Sequence, residues 1–179
     1  EVSLKYSDCV QSADHTIFAK YIIQSVIKKL GAKATFMPKP ILGQNGSGMH
    51  VHYSLSDTAN QSNIFYCQNN PTNLSESAQS FLAGNLKYIL EISALLNPTI
   101  NSYKRLVVGY EAPVYVCWGI KNRSALIRIP LINALQKEAT RAELRCPDAT
   151  CNPYLAFAAI AASGLKGMQE QIMLANQVT

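Results

Sequence analysis

With 48% apolar residues and a mean hydropathy near zero, this 179-residue chain is globular rather than disordered, long enough for one domain or a piece of something larger. No apolar run approaches the roughly 18 residues of a membrane span, and residues 1–8 lack the basic start and apolar block of a signal peptide. The net charge of +5 suits phosphorylated or carboxylated ligands; without a basic run or interleaved aromatics it argues against a nucleic-acid partner.

In chain order, residues 1–6 alternate like a strand. Asp14 can cap a helix through Ile17, Tyr21, Ile22, Val26 and Leu30, which share one face, with Gly31 as the stop. Residues 34–37 read as a short strand ended by Pro38 and Pro40. Three glycines at 43, 46 and 48 then loosen the backbone for close approach of a ligand, and 50–55 follow as a strand. Period two places His50, His52 and Ser54 on one face of that strand, where paired imidazoles can hold a metal ion or a phosphate.

Residues 56–72 are polar and read as a surface excursion around a short apolar stretch at 64–66. Asn73 to Glu76 have capping-box spacing and open a helix with Phe81, Leu82, Leu86, Ile89, Leu90, Ile92 and Leu96 inward, ended by Asn97-Pro98. Residues 101–113 form a polar loop. Strands follow at 114–118 and 124–129 around a turn at Lys121-Asn122, then a connector at 131–140 and a short strand at 142–145. Asn152 and Pro153 start an alanine-rich helix to about Met173, and residues 175–179 have no structural signal. Neither a repeat nor a linker interrupts the chain, which is therefore one unit of α+β type.

The chemistry concentrates in few places. Loop 101–113 holds Lys104, Arg105 and Glu111 around Gly109: an arginine fork able to grip a carboxylate, and a glutamate on a mobile flap. Arg123, Arg128, Arg141 and Arg145 lie in or beside segments that read as buried strands. Because arginine is almost never buried unpartnered, they imply an anionic ligand or a carboxylate network. Four arginines together with two histidines favour the ligand. Glu143 and Arg145 share a strand face, and a glutamate, a histidine and an N-terminal glutamate suit Mg²⁺ or Mn²⁺. Cations plus divalent ions are equipment for phosphoryl transfer, here without a P-loop. The five cysteines, an odd number without a CxxC pair, read as reduced thiols of a cytoplasmic protein rather than disulfides.

Six motifs then follow in order: Phe36-Met37-Pro38-Lys39-Pro40; Asn45-Gly46-Ser47-Gly48-Met49-His50-Val51-His52; Asn101-Ser102-Tyr103-Lys104-Arg105-Leu106; Gly109-Tyr110-Glu111-Ala112-Pro113; Asn122-Arg123-Ser124; and Arg141-Ala142-Glu143-Leu144-Arg145. Together they resemble the catalytic domain of a type I glutamine synthetase, over residues 1 to about 168. The resemblance implies a curved, mainly antiparallel sheet with flanking helices. It implies ATP-dependent ligation of ammonia to the γ-carboxylate of L-glutamate through γ-glutamyl phosphate.

By the same resemblance, Glu1 matches a ligand of the metal near the glutamate site, while His50 and Glu143 match ligands of the metal bridging the ATP phosphates. His52 and Ser54 match nucleotide contacts; Asn45, Gly46, Arg105 and Arg145 match the glutamate clamp. Glu111 matches the flap carboxylate that takes a proton from the amine. Arg123 and Arg128 match phosphate-neutralising arginines, Arg123 also touching the glutamate site, and Arg141 or Lys137 reaches the nucleotide. Two or more Mg²⁺ or Mn²⁺ ions and a homo-dodecamer with active sites between subunits are implied as well. Val108 departs from the proline usual in the flap motif, Lys121 stands where arginine is frequent, and 131–140 is longer than in many members.

The resemblance also makes residues 1–179 a partial catalytic domain, without the N-terminal β-grasp domain and C-terminal region of the family. Three of the metal ligands expected for two ions remain, so the chain alone is expected to bind metal weakly and not to turn over. Two alternatives keep the fold: a γ-glutamyl-amine or polyamine ligase, and a non-catalytic binding module. The intact Arg105, Glu111, Arg123, Glu143 and Arg145 argue against the module.

Overall fold

The computed structural model describes residues 1–131 and 137–178. Nine elements follow along them: α1 (Cys9–Lys29), β1 (Val51–Tyr53), α2 (Glu76–Leu96), α3 (Ile100–Arg105), β2 (Tyr115–Ile120), β3 (Ala125–Ile129), a 3₁₀ turn (Lys137–Ala139), β4 (Ala142–Leu144) and α4 (Pro153–Gln169). The strands form one open sheet in the order β1-β4-β3-β2. β4 runs antiparallel to both β1 and β3, whereas β2 and β3 are parallel. Two of three pairings are therefore antiparallel, as expected. The turn expected at Lys121-Asn122 does not fold β2 and β3 into a hairpin. Lys121, at φ 62°, starts a return of four residues, and Asn122 Oδ1 accepts from Ser124 N at 2.9 Å and Ala125 N at 3.2 Å before β3 begins.

Strand alternation gives the sheet two unlike faces. Val51, Tyr53, Ile127, Ile129, Ala142 and Leu144 join the core with α2 and α4. His52, Glu143 and Arg128 form a cross-strand row, His52 opposite Glu143 and Glu143 opposite Arg128. Asn85, fully buried, ties the apolar side together. It donates to Ile160 O at 2.8 Å and to Ser163 Oγ at 2.7 Å, and accepts from Tyr53 Oη at 2.7 Å. At the crossing of α2 and α4 any Cβ on Gly84 would meet Gly167 Cα at 2.7 Å, so the helices touch backbone to backbone.

Several element boundaries differ from the sequence reading. α1 starts at Cys9 because Asp8, not Asp14, accepts from Gln11 N at 2.9 Å; Asp14 lies inside the helix and accepts from Tyr154 Oη. The shared apolar face of α1 is solvent-exposed in this chain, and among its residues Ala13 is buried. α2 is capped by Ser75, whose Oγ accepts from Ala78 N at 3.1 Å, while Asn73 sits at φ 56° and cannot serve. Residues 1–6 and 34–37 form no strand.

The excursion 56–72 is anchored rather than superficial: Phe65 is fully buried among Tyr53 and Phe81, and Tyr66 bridges to Leu74. The loop expected at 101–113 begins as α3, because Thr99 and Ser102 form a reciprocal capping box. α4 ends at Gln169 rather than near Met173. Of the 131–140 connector, 132–136 lie outside the described residues. The tail is ordered against the sheet edge: Val178 N donates to Trp118 O at 2.9 Å, and Trp118 Nε1 donates to Ala175 O at 2.7 Å.

Candidate active site

The cation-bearing strand ends and the glycine loop face a cavity of about 1210 Å³. Ten of the residues singled out in the sequence line it: Glu1, Asn45, Gly46, His50, His52, Ser54, Arg105, Glu111, Arg141 and Arg145. Glu143 sits directly behind the imidazoles. Arg123 is exposed beside β3, and Lys137 turns away, donating to Gln68 Oε1 at 3.0 Å with its Nζ 5.3 Å from the Tyr66 ring centre.

Glu143 is the hub. Its carboxylate is 2% exposed and meets four basic side chains. Oε1 lies 3.0 Å from His50 Nδ1, 3.7 Å from Arg145 Nε and 3.9 Å from His52 Nε2, while Oε2 contacts Arg128 Nε. Burial alone would push the Glu143 carboxyl up; the His50 hydrogen bond, Arg128 and the imidazole charges outweigh it and hold it below the usual carboxylate range. Burial pushes His52 down, opposed by Glu143 and reinforced by Arg141, whose Nε donates to His52 Nδ1 at 3.2 Å. A neutral imidazole that accepts this bond is the result. The strand arginine that demanded a partner, Arg128, has found a carboxylate network.

Arg105 and Arg145 are both buried cations, 3% and 4% exposed, and burial lowers the pKa of each. Arginine stays charged regardless, so the cost of burial falls on its hydrogen bonds. Arg105 spends its donors on the backbone entering and leaving the end of β4. Nη1 donates to Cys146 O at 2.7 Å, and Nη2 donates to Arg145 O at 3.0 Å. Arg145 Nη2 donates to Glu111 O at 3.3 Å, drawing the flap against the cavity. Arg145 Nη1 is buried with no hydrogen-bond partner among the described residues. Two buried guanidinium side chains on one cavity wall suit an anionic ligand.

The glycines serve this geometry in a way the sequence did not disclose. A Cβ at Gly46 would lie 2.9 Å from Arg105 Cγ; one at Gly48 would lie 3.0 Å from Arg105 Cζ and 3.2 Å from His50 Nε2. The loop is glycine-rich so that it can lie on the guanidinium. Asp148 also escaped the sequence reading. It is fully buried behind the site, where Oδ2 accepts from Asn97 Nδ2 at 3.1 Å and Oδ1 accepts from Thr150 N at 2.9 Å.

For a divalent ion, the donor chemistry fits in part. His50 and Glu143 approach to 3.0 Å, the span of two adjacent ligands each about 2.1 Å from one ion. Glu1 lines the same cavity, but no cluster of three His, Cys, Asp or Glu side chains able to hold a metal forms among the described residues.

Fold and site together define an α+β domain with an imidazole–carboxylate–guanidinium row along its sheet and a cation-lined cavity with Glu111 on its wall. Residues 1–179 match the family model described as the glutamine synthetase catalytic domain. The chain belongs to that family. It is 48% identical to a glutamine synthetase of Methanosarcina mazei and 50% identical to one of Methanocaldococcus jannaschii, each over 96% of this chain and 37% of the relative. Among solved structures it resembles a Plasmodium falciparum glutamine synthetase determined by cryo-electron microscopy, with TM-score 0.88 and 38% identity over 94% of this chain and 32% of that one. An unliganded GmaS structure matches with TM-score 0.84 and 38% identity, over 97% and 38% of the two chains. The chain thus spans between about 32% and 38% of the length of these relatives.

Proposed function

We propose that this chain supplies the catalytic face of an enzyme that ligates ammonia to the γ-carboxylate of L-glutamate at the expense of ATP. The carboxylate oxygen attacks the γ-phosphorus and ADP leaves; ammonia then attacks the acyl carbon and phosphate leaves, giving glutamine. The observation that carries this reading is the buried cation pair Arg105 and Arg145 on one cavity wall, Arg145 with a donor on the Glu111 carbonyl. It links an anion site directly to the flap. Asn45, Gly46, Arg105 and Arg145 form the glutamate clamp, with Arg105 holding the backbone on which Arg145 stands. Glu111 receives the proton shed by the attacking amine. Arg123 and Arg128 offset charge on the transferring phosphoryl group, and His52, Ser54 and Arg141 serve the nucleotide, Lys137 being turned toward Gln68 instead.

His50 and Glu143, with Glu1, would hold Mg²⁺ or Mn²⁺. When bound, such ions neutralise phosphate charge. The protein acts in the cytoplasm as a homo-dodecamer with sites shared between subunits. No helix among the described residues is long and apolar enough to cross a membrane.

The test supplies the complete protein carrying this chain with ATP, glutamate and either ammonium or putrescine. Glutamine and phosphate formed in equal amounts support the reading, as does a rise of at least about tenfold in the KM for glutamate on Arg145→Lys, which loses the fork. Turnover with putrescine alone makes the protein a γ-glutamyl-amine ligase. ATP binding by calorimetry with no turnover on either amine makes it a binding module.

A further inference from the structure

Lys39 lies in the first of the six motifs and has no part in the ligation chemistry, yet its side chain is withdrawn from water, with the residue 7% exposed. A buried ammonium requires compensation. No carboxylate of the described residues forms an ion pair with it. Instead Nζ donates to the Gln44 carbonyl and lies 3.4 Å from the centre of the Tyr110 ring. The base of the side chain is fixed by Asn101 of α3. Lys39 N donates to Asn101 Oδ1 at 2.7 Å, and Asn101 Nδ2 donates to Lys39 O at 3.0 Å.

The lysine therefore spans from the glycine loop to the flap. Tyr110 precedes Glu111, whose carbonyl accepts from Arg145. Gly109, at φ 91° with nothing within 4 Å of where a Cβ would stand, allows the bend before them. Among the described residues no backbone–backbone hydrogen bond involves residues 108–113. Two side-chain cations from different parts of the chain thus hold two successive flap residues.

We propose that Lys39 is a positioning residue: through the face of Tyr110 it keeps the Glu111 flap at the cavity and couples that placement to the loop carrying Asn45 and Gly46. A ligand that shifts the glycine loop moves the Gln44 carbonyl, and with it the ammonium on which Tyr110 rests. The catalytic consequence rests on Glu111 acting as proposed above; the clamp itself does not.

The complete protein is compared as wild type, Lys39→Met, Lys39→Arg, Tyr110→Leu and Tyr110→Phe, by steady-state kinetics and by hydrogen–deuterium exchange of peptides covering 107–113. Loss of the cation or of the ring should speed exchange in that segment about tenfold and lower kcat/KM for the amine substrate about tenfold, leaving ATP affinity unchanged. Lys39→Arg and Tyr110→Phe, which keep charge and π face, should stay within about threefold of wild type. Unchanged exchange at 107–113 in both Lys39→Met and Tyr110→Leu overturns the proposal. So does failure of Lys39→Arg to restore the segment, or faster exchange spread through β4 and α4, which would make Lys39 a general packing residue. If the wild type ligates neither amine, the functional reading falls while the exchange measurement still decides the clamp.

Discussion

Replacing Glu143 with glutamine keeps the volume and the acceptor facing His50, but removes the negative charge between Arg128 and Arg145. Arg145 is 4% exposed and cannot recover solvent, whereas the Arg128 side chain, at 23%, recovers some. Removing one member of a buried pair costs about 3–5 kcal/mol, and partial resolvation of Arg128 puts the loss near the lower end, about 3 kcal/mol. With a urea slope of about 2 kcal/mol/M, the midpoint should fall by roughly 1.5 M at pH 7 in metal-free buffer. The folded carboxyl titrates below its ordinary value, so its stabilisation is present above the unfolded value and fades as pH falls through the folded one. The gap between wild type and variant should therefore close in acid. A loss under about 1 kcal/mol at pH 7, or a gap equal at pH 7 and pH 3, would refute the hub role assigned to Glu143.

Gly48→Ala drives a methyl toward the Arg105 guanidinium and His50, and should cost about 1–3 kcal/mol in thermal or urea unfolding. Arg105→Met removes the side-chain donor to the buried Arg145 carbonyl and one of two donors to the Cys146 carbonyl, which keeps Asn97 Nδ2 at 2.8 Å, and should cost about 2 kcal/mol, again read by urea unfolding. Burial pushes the Cys146 and Cys151 thiols up to about 12 and about 11; in a thiol-reagent titration at pH 8 both should react only after urea is added. The 179 residues alone should form no γ-glutamyl hydroxamate from ATP, glutamate and hydroxylamine, which a colorimetric assay checks directly.

Period-two spacing made much of the charged face legible before any coordinates. His50 with His52, and Glu143 with Arg145, converge as the alternation requires, and Arg128, isolated in an apolar strand, demanded the partner it has. Arg105 shows where such reasoning stops. Burial of a guanidinium announces that partners exist, but only the fold reveals that they are the carbonyls of residues 145 and 146. The glycine loop was recognised for its freedom, yet the object it approaches, the Arg105 side chain, lies some sixty residues away in sequence, beyond any local pattern. The sequence reading starts two helices from Asp14 and Asn73, whereas the structure caps them at Asp8 and Ser75. Composition suits a cap at any of these residues; the backbone angle at Asn73 and the Gln11 amide within reach of Asp8 fix the starts.

The docking of residues 175–178 on β2 gives the chain a built-in optical reporter. Trp118 is its single tryptophan, and its indole N–H is tied to the Ala175 carbonyl. Emission wavelength and quenching therefore follow release of residues 175–178 from β2, the strand farthest in the sheet from β1 and its His52.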